Sequence, residues 1–142
     1  MEKQILNIDI KSNYYTHLLK LIKKLYSSEM TEDMKANNNY FFGYILKEEL
    51  IGFIHLSIRY EYVNGSESSP VGYIEGIYIE REYRRLGYAR ELVNFAFAFF
   101  KKKNLLEVIS DSKIDNEEGI RFHKALGFEE AEQIIFFKSK LK

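Results

Sequence analysis

The chain has 142 residues, 46% of them hydrophobic and 30% charged, a size at which a globule buries roughly 68–70% of its unfolded surface. That balance argues against wholesale disorder, and one domain spanning residues 1–142 is expected. Lys plus Arg and Asp plus Glu each number 21 and cysteine is absent, so there is no global pull toward nucleic acid or anionic membrane, and no disulfide, thiolate metal site or cysteine nucleophile.

No basic stretch leads into an apolar run at the start, so neither a signal peptide nor a membrane span is expected, and cysteine-free composition fits a reducing compartment, the cytoplasm. Leu6, Ile8 and Ile10 alternate with polar residues and predict a half-buried first strand. Tyr15, Leu18, Leu19, Ile22, Leu25 and Tyr26 follow helical spacing. Residues 28–39 are polar and end Asn-rich, which predicts a second short helix running into a loop. Residues 40–47 and 50–60, rich in β-branched and aromatic side chains, predict a hairpin turning at Glu48-Glu49. Residues 61–72 hold Asn64-Gly65, three serines and the only proline, and predict a long connection; Asn64-Gly65-Ser66 is read as a turn and not as a glycosylation site.

A strand is expected over residues 73–79, a helix over 88–103 with the stripe Leu92, Phe95, Ala96, Phe99 and Phe100, and a strand over 105–110. A helix over 114–126 ends at Gly127, and Ile134 to Phe137 anchor a last strand within residues 132–140. The order is β-α-α-β-β-β-α-β-α-β, an α/β fold with helices on both faces of a mixed sheet. The aromatic stripe reads as core. Lys101-Lys102-Lys103 complements the dipole at a helix C-terminus, which leaves no nucleic-acid surface to propose. His17, His55 and His123 make no metal-ligand spacing, so no metal is expected.

The chemistry-bearing segment lies between the strand ending at Ile79 and the helix starting near Tyr88. There Arg84-Arg85-Leu86-Gly87-Tyr88-Ala89 reads Arg-x-x-Gly-x-Ala. A glycine and a small residue let backbone amides at a helix N-terminus approach an anion, the macrodipole favours negative charge there, and arginines add charge-assisted bonds. The same motif also describes an ordinary left-handed turn flanked by solvated arginines.

Strand, Arg-x-x-Gly-x-Ala turn and long helix resemble the acetyl-CoA-binding core of the GCN5-related N-acetyltransferase (GNAT) superfamily. Asn116 followed by Phe122-His123-Lys124-Ala125-Leu126-Gly127-Phe128 resembles its distal pattern. Ser57-Ile58-Arg59-Tyr60-Glu61-Tyr62-Val63-Asn64-Gly65, Ser69-Pro70-Val71-Gly72, Glu75-Gly76-Ile77-Tyr78, Ser110-Asp111 and Asp115-Asn116 resemble one subgroup, the aminoglycoside 6′-N-acetyltransferases, over roughly residues 57–140.

This resemblance implies a splayed sheet, acetyl-CoA as co-substrate and direct transfer to the 6′-amine of an aminoglycoside, hence antibiotic resistance, in a homodimer. The backbone of Ile77, Tyr78 and Ile79 is assigned to the pantetheine arm, Arg84, Arg85, Gly87, Tyr88, Ala89 and Arg90 to the pyrophosphate, and Asn116 to the cofactor's opposite side. Glu75 is the candidate general base, directly or through water, with Asp111 either sharing that task or anchoring the ammonium. Glu132 on the last strand adds an acidic substrate contact. Tyr62 and Tyr26 are candidates for packing on sugar rings; the subgroup tends to carry tryptophan where Tyr26 stands, and this chain has none. Where many members carry a tyrosine that protonates the departing thiolate, this chain has His123, either the acid or a structural helix residue. The alternatives are a GNAT enzyme acting on another small polyamine or a protein amino group, and a non-catalytic acetyl-CoA-binding module.

Overall fold

The structure, a computed structural model, describes residues 2–141. The elements run β1 (Lys3–Asn7), α1 (Tyr15–Tyr26), β2 (Asn39–Leu46), β3 (Glu49–Arg59), β4 (Val71–Ile79), α2 (Tyr88–Lys102), β5 (Val108–Ser110) and α3 (Glu117–Ala125). Short 3₁₀ turns occupy Asp33–Lys35 and Arg81–Tyr83. The sheet order is β1-β2-β3-β4-β5, antiparallel through β4, with β5 parallel to β4.

The β2–β3 hairpin turns at Lys47-Glu48, one residue earlier than expected, with both at positive φ (50° and 66°), the twist that matches right-handed strands. Both strands read as apolar runs because helices cover both faces of the sheet. On one face, Leu18, Leu21 and Ile22 of α1 pack on Ile8, Phe41, Ile45, Leu50 and Phe53. On the other, Leu92, Val93, Ala96 and Phe100 of α2 pack on Phe42, Tyr44, Ile51, Ile54 and Ile74. Phe100 lies directly against Gly72, where a Cβ would stand 2.6 Å from the ring. No helix among the described residues is long and apolar enough to cross a membrane.

Five further expectations are corrected. Ile10 is exposed beyond the end of β1. Residues 28–38 form only the Asp33–Lys35 turn, because Met30 and Met34, which pack on the core, are the only large apolar side chains in the run and too few to make a helical stripe. The strand of residues 105–110 shrinks to Val108–Ser110 and the helix of residues 114–126 to Glu117–Ala125. The last strand is absent among the described residues: 128–141 carry no regular structure, and Ile134, Ile135, Phe136 and Phe137 are exposed. A strand needs a neighbour to take its backbone hydrogen bonds, and among the described residues the segment has none.

Two polar side chains are buried in the sheet, His55 and Ser57. The His55 ring stacks on Phe41 at 4.2 Å between centroids. Asn39 donates its amide to the Asp33 carbonyl (3.0 Å), so its Oδ1 accepts from His55 Nε2 (2.7 Å). Nδ1 is then bare and accepts from the Tyr26 hydroxyl (2.9 Å), which fixes one neutral tautomer. Burial pushes the imidazole down to about 4, with Glu75 opposing and Arg59 adding to the depression.

Phe100→Ala empties the space over Gly72 and should cost about 3–5 kcal/mol, read as a lower urea midpoint at unchanged slope. For His55 the unfolded chain binds the proton first. Stability should therefore be full above the usual imidazole value and fall as the pH drops toward about 4, by up to about 3 kcal/mol. Urea midpoints across that window should lose much of this slope in His55→Gln.

Candidate active site

The parallel ladder between β4 and β5 is short: Gly72 faces Val108, Tyr73 faces Ile109, Ile74 faces Ser110, and pairing ends there. From Glu75 onward β4 is paired only to β3, so the outer backbone edge of Ile77, Tyr78 and Ile79 has no strand partner. Such an edge takes an extended, amide-bearing ligand by main-chain hydrogen bonds. At the same point the β3–β4 register slips. His55 pairs with Gly76 and Leu56 with Ile74, which leaves Glu75 as the extra residue of a bulge. A bulge re-aims its side chain, and here Glu75 reaches Ser57 while Gly76 lies beneath Tyr26, whose hydroxyl would stand 2.4 Å from a Cβ at that glycine.

Glu75 sits in a cation's grip. Arg59 Nη2 donates to both carboxylate oxygens (2.8 Å each) and Nε to Oε2 (3.1 Å), while Ser57 Oγ donates to Oε2 at 2.5 Å. The guanidinium also lies over the Tyr73 ring, 3.5 Å from its centroid, and the Tyr73 hydroxyl donates to Asp111. Glu75 and Asp111 are thus joined in one chain through Arg59 and Tyr73. Burial, then the Glu75 and Asp111 carboxylates, raise the Tyr26 hydroxyl far above its ordinary value; burial and the Asp111 bond do the same to Tyr73. Both phenols stay protonated. A cleft of about 450 Å³ opens above this chain, lined by Tyr26, Asp33, Asn39, His55, Arg59 and Glu75 among others.

The second half of the site is the start of α2. Gly87 is its N-cap at φ 91°, and no side chain caps the helix. A Cβ there would meet nothing within 4 Å, so the glycine answers to backbone conformation and leaves the helix start uncovered. The first-turn amides of Tyr88, Ala89 and Arg90 have no intrahelical partner and face that opening. Arg85 is at positive φ, and Arg84 anchors the loop by donating Nε to the Ile79 carbonyl (2.7 Å). Arg84, Arg85 and Arg90 are exposed.

On α3, Asn116 is the N-cap and accepts from Gly119 N through Oδ1 (3.0 Å), so that oxygen serves the helix. His123 Nδ1 is 2.7 Å from the Gly119 carbonyl and must carry hydrogen; Nε2 is 2.8 Å from Ser110 Oγ, at the point where β5 ends. Among the described residues no group of three or more His, Cys, Asp or Glu is arranged for a metal ion.

Two candidates lie apart from the cleft. Tyr62 is 74% exposed in the β3–β4 connection and does not line it. Glu132 lies exposed in the segment expected to be a strand, near Gly65. Sequence reasoning gave no site role to Arg59, Ser57 and Ser110, although they stand in the quoted motifs, nor to Tyr73 and the His55 pairing. For the three on β3 a signal was available: His55, Ser57 and Arg59 alternate with Ile54, Leu56 and Ile58 in a strand otherwise mostly apolar on both faces.

The family profile described as Acetyltransferase (GNAT) family matches residues 4–128. An aminoglycoside N(6′)-acetyltransferase type 1 of Acinetobacter genomosp. 13 is 43% identical over 94 residues, 66% of this chain and 64% of that relative, so the match spans a little under two thirds of its length. The enzyme of the same description from Acinetobacter baumannii is 40% identical over 99 residues, 70% of this chain and 68% of its own. Among solved structures, AAC(6′)-Iy in complex with the bisubstrate analogue CoA-S-monomethyl-acetylneamine superposes with a TM-score of 0.87 at 29% identity, covering 99% of this chain and 100% of that one. With the profile over residues 4–128, and the parted strands and glycine-led helix start inside it, the chain belongs to the GNAT acetyltransferase family.

Proposed function

We propose that the chain, acting as one domain, is an acetyl-CoA-dependent aminoglycoside 6′-N-acetyltransferase that transfers the acetyl group directly and so confers resistance. The observation that carries this reading is the juxtaposition of an unpaired β4 edge with the Glu75–Arg59–Tyr73–Asp111 chain at one break in the sheet. The sequence likeness to aminoglycoside enzymes supports the substrate class.

Acetyl-CoA supplies a thioester, whose carbonyl the acceptor amine attacks. The groups present fit it: across the stretch of Ile77, Tyr78 and Ile79, the backbone of Ile77 and Ile79 faces the open edge and offers hydrogen bonds to the pantetheine amides while that of Tyr78 pairs with β3, and the amides after Gly87 together with Arg84, Arg85 and Arg90 offer positive charge to a pyrophosphate. A backbone N–H on that edge polarises the carbonyl as negative charge develops on its oxygen. Glu75 and Asp111 attract the ammonium, and Glu75, directly or through water, takes its proton so that the neutral amine attacks. As the imidazolium, with hydrogen on both ring nitrogens, His123 gives its Nε2 proton to Ser110 Oγ while that hydroxyl passes its own proton to the thiolate, leaving His123 neutral with hydrogen on Nδ1. Tyr26, on the cleft wall, packs on the sugar ring. A cytoplasmic location, where acetyl-CoA is made and used, belongs to the same proposal.

We further propose a homodimer. Ile134 to Phe137 form an apolar stretch that this chain leaves exposed, and β5 ends the sheet with one edge unpaired among the described residues. A second copy supplies the strand partner each lacks. In that assembly Glu132 and Tyr62, both near residues 62–65 of the β3–β4 connection, border an acceptor cleft.

A free-thiol assay with acetyl-CoA and kanamycin should show turnover that is lost with a 6′-hydroxyl analogue; no turnover above background overturns the substrate assignment. In the same assay Glu75→Gln should lower kcat by about 10²–10⁴-fold while acetyl-CoA affinity by calorimetry is retained. Light scattering after size exclusion should give the mass of two chains, and Phe136→Asp with Phe137→Asp should shift it to one; a wild-type monomer rejects the dimer.

A further inference from the structure

Arg59 is the one side chain of the cleft whose chemistry opposes the substrate. A site that gathers ammonium groups carries a guanidinium on its best-placed carboxylate, with three contacts of 2.8–3.1 Å. Its position over Tyr73 at 3.5 Å is where a bound cation gains from the ring. The Glu75 side chain keeps 22% of its surface and Arg59 keeps 40%. An enclosed carboxylate left without a partner is costly, so the free protein needs a cation there. Arg59 is also the last residue of β3, and the next residue, Tyr60, is exposed in the connection that follows. Its stem therefore has an outward route.

Resting on the acetyltransferase reading above, we infer that Arg59 is an exchangeable counter-ion that holds the acceptor's ammonium position on Glu75 and thereby sets acceptor specificity. An incoming ammonium, with three donors of its own, replaces the guanidinium on the same oxygens. Because one cation replaces another, a singly charged amine gains little. An acceptor gains when its other ammonium groups reach carboxylates that Arg59 does not neutralise, Asp33 on the cleft wall and Asp111 beyond Tyr73. The exchange selects polycationic acceptors over monoamines. Arg59 is in this sense a specificity residue; it takes no part in bond making.

The test compares neamine, which carries several amines, with methyl 6-amino-6-deoxyglucoside, which carries one, in wild type, Arg59→Gln and Arg59→Lys. In Arg59→Gln the KM for the monoamine should fall about tenfold and the preference for neamine narrow, with acetyl-CoA affinity unchanged. Arg59→Lys should retain the wild-type preference. Turnover with KM unchanged or raised in Arg59→Gln overturns the inference alone, because Arg59 then only positions Glu75. If neither sugar is acetylated, calorimetry with neamine on the CoA-loaded proteins decides. Tighter binding to Arg59→Gln keeps the counter-ion while the acetyltransfer reading fails, and equal or absent binding overturns both. Should Arg59→Gln not fold, the Nε–Hε resonance of Arg59 in the wild type should move on neamine saturation, and an unmoved resonance overturns the exchange.

Discussion

Hydrogen bonding between β4 and β5 stops after three residue pairs, and the chemistry of the molecule is arranged around that interruption. A sheet interior has no free backbone groups to offer a ligand, and a sheet edge invites unwanted pairing. Parting two parallel strands inside the fold gives a protected edge. Helices on both faces make this tolerable: α2 covers the sheet with Leu92, Val93, Ala96 and Phe100 while α1 covers it with Leu18, Leu21 and Ile22. The break therefore costs backbone pairing at its margin and leaves the core beneath it intact.

The register slip at Glu75 couples this opening to charge. Without the extra residue, alternation along β4 would send neighbouring side chains to opposite faces. With it, Glu75 meets Ser57 while Gly76, the next residue, clears space for Tyr26 on that side. The backbone edge and the carboxylate thus come from the same few residues, and a small local irregularity sets the distance between them. The buried His55, locked as a neutral ring between Tyr26 and Asn39, holds this floor without adding charge to it.

Much of this was legible in hydrophobic periodicity. α1, α2 and the strands β2, β3 and β4 fell where apolar spacing put them, because each buries a face whose period survives in the sequence. The glycine-led turn at Gly87 was legible as well, since few residues adopt its φ. Two things were not. The segment around Ile134 to Phe137 has the composition of a strand, yet pairing depends on a neighbour, and periodicity cannot say whether one is supplied by the same chain. The hold of Arg59 on Glu75 joins residues on two strands through a bulge that shifts register, and strand alternation without that shift misplaces one partner. The polar alternation His55, Ser57, Arg59 was the readable trace of it.

The two kinds of missing information have a common physical root. Local propensity and amphipathic period concern what a segment buries, and they fix elements whose partners are generic apolar surface. A strand edge or a carboxylate is satisfied only by a specific donor or counter-charge, so its state depends on which group happens to be within reach. At this site one carboxylate, Glu75, already has a cation of the chain's own, while Asp111 has, among the described residues, a phenol. The cleft is therefore less negative than a count of the nearby acidic residues suggests, and under the proposed exchange what it recognises follows from competition among cations as much as from attraction.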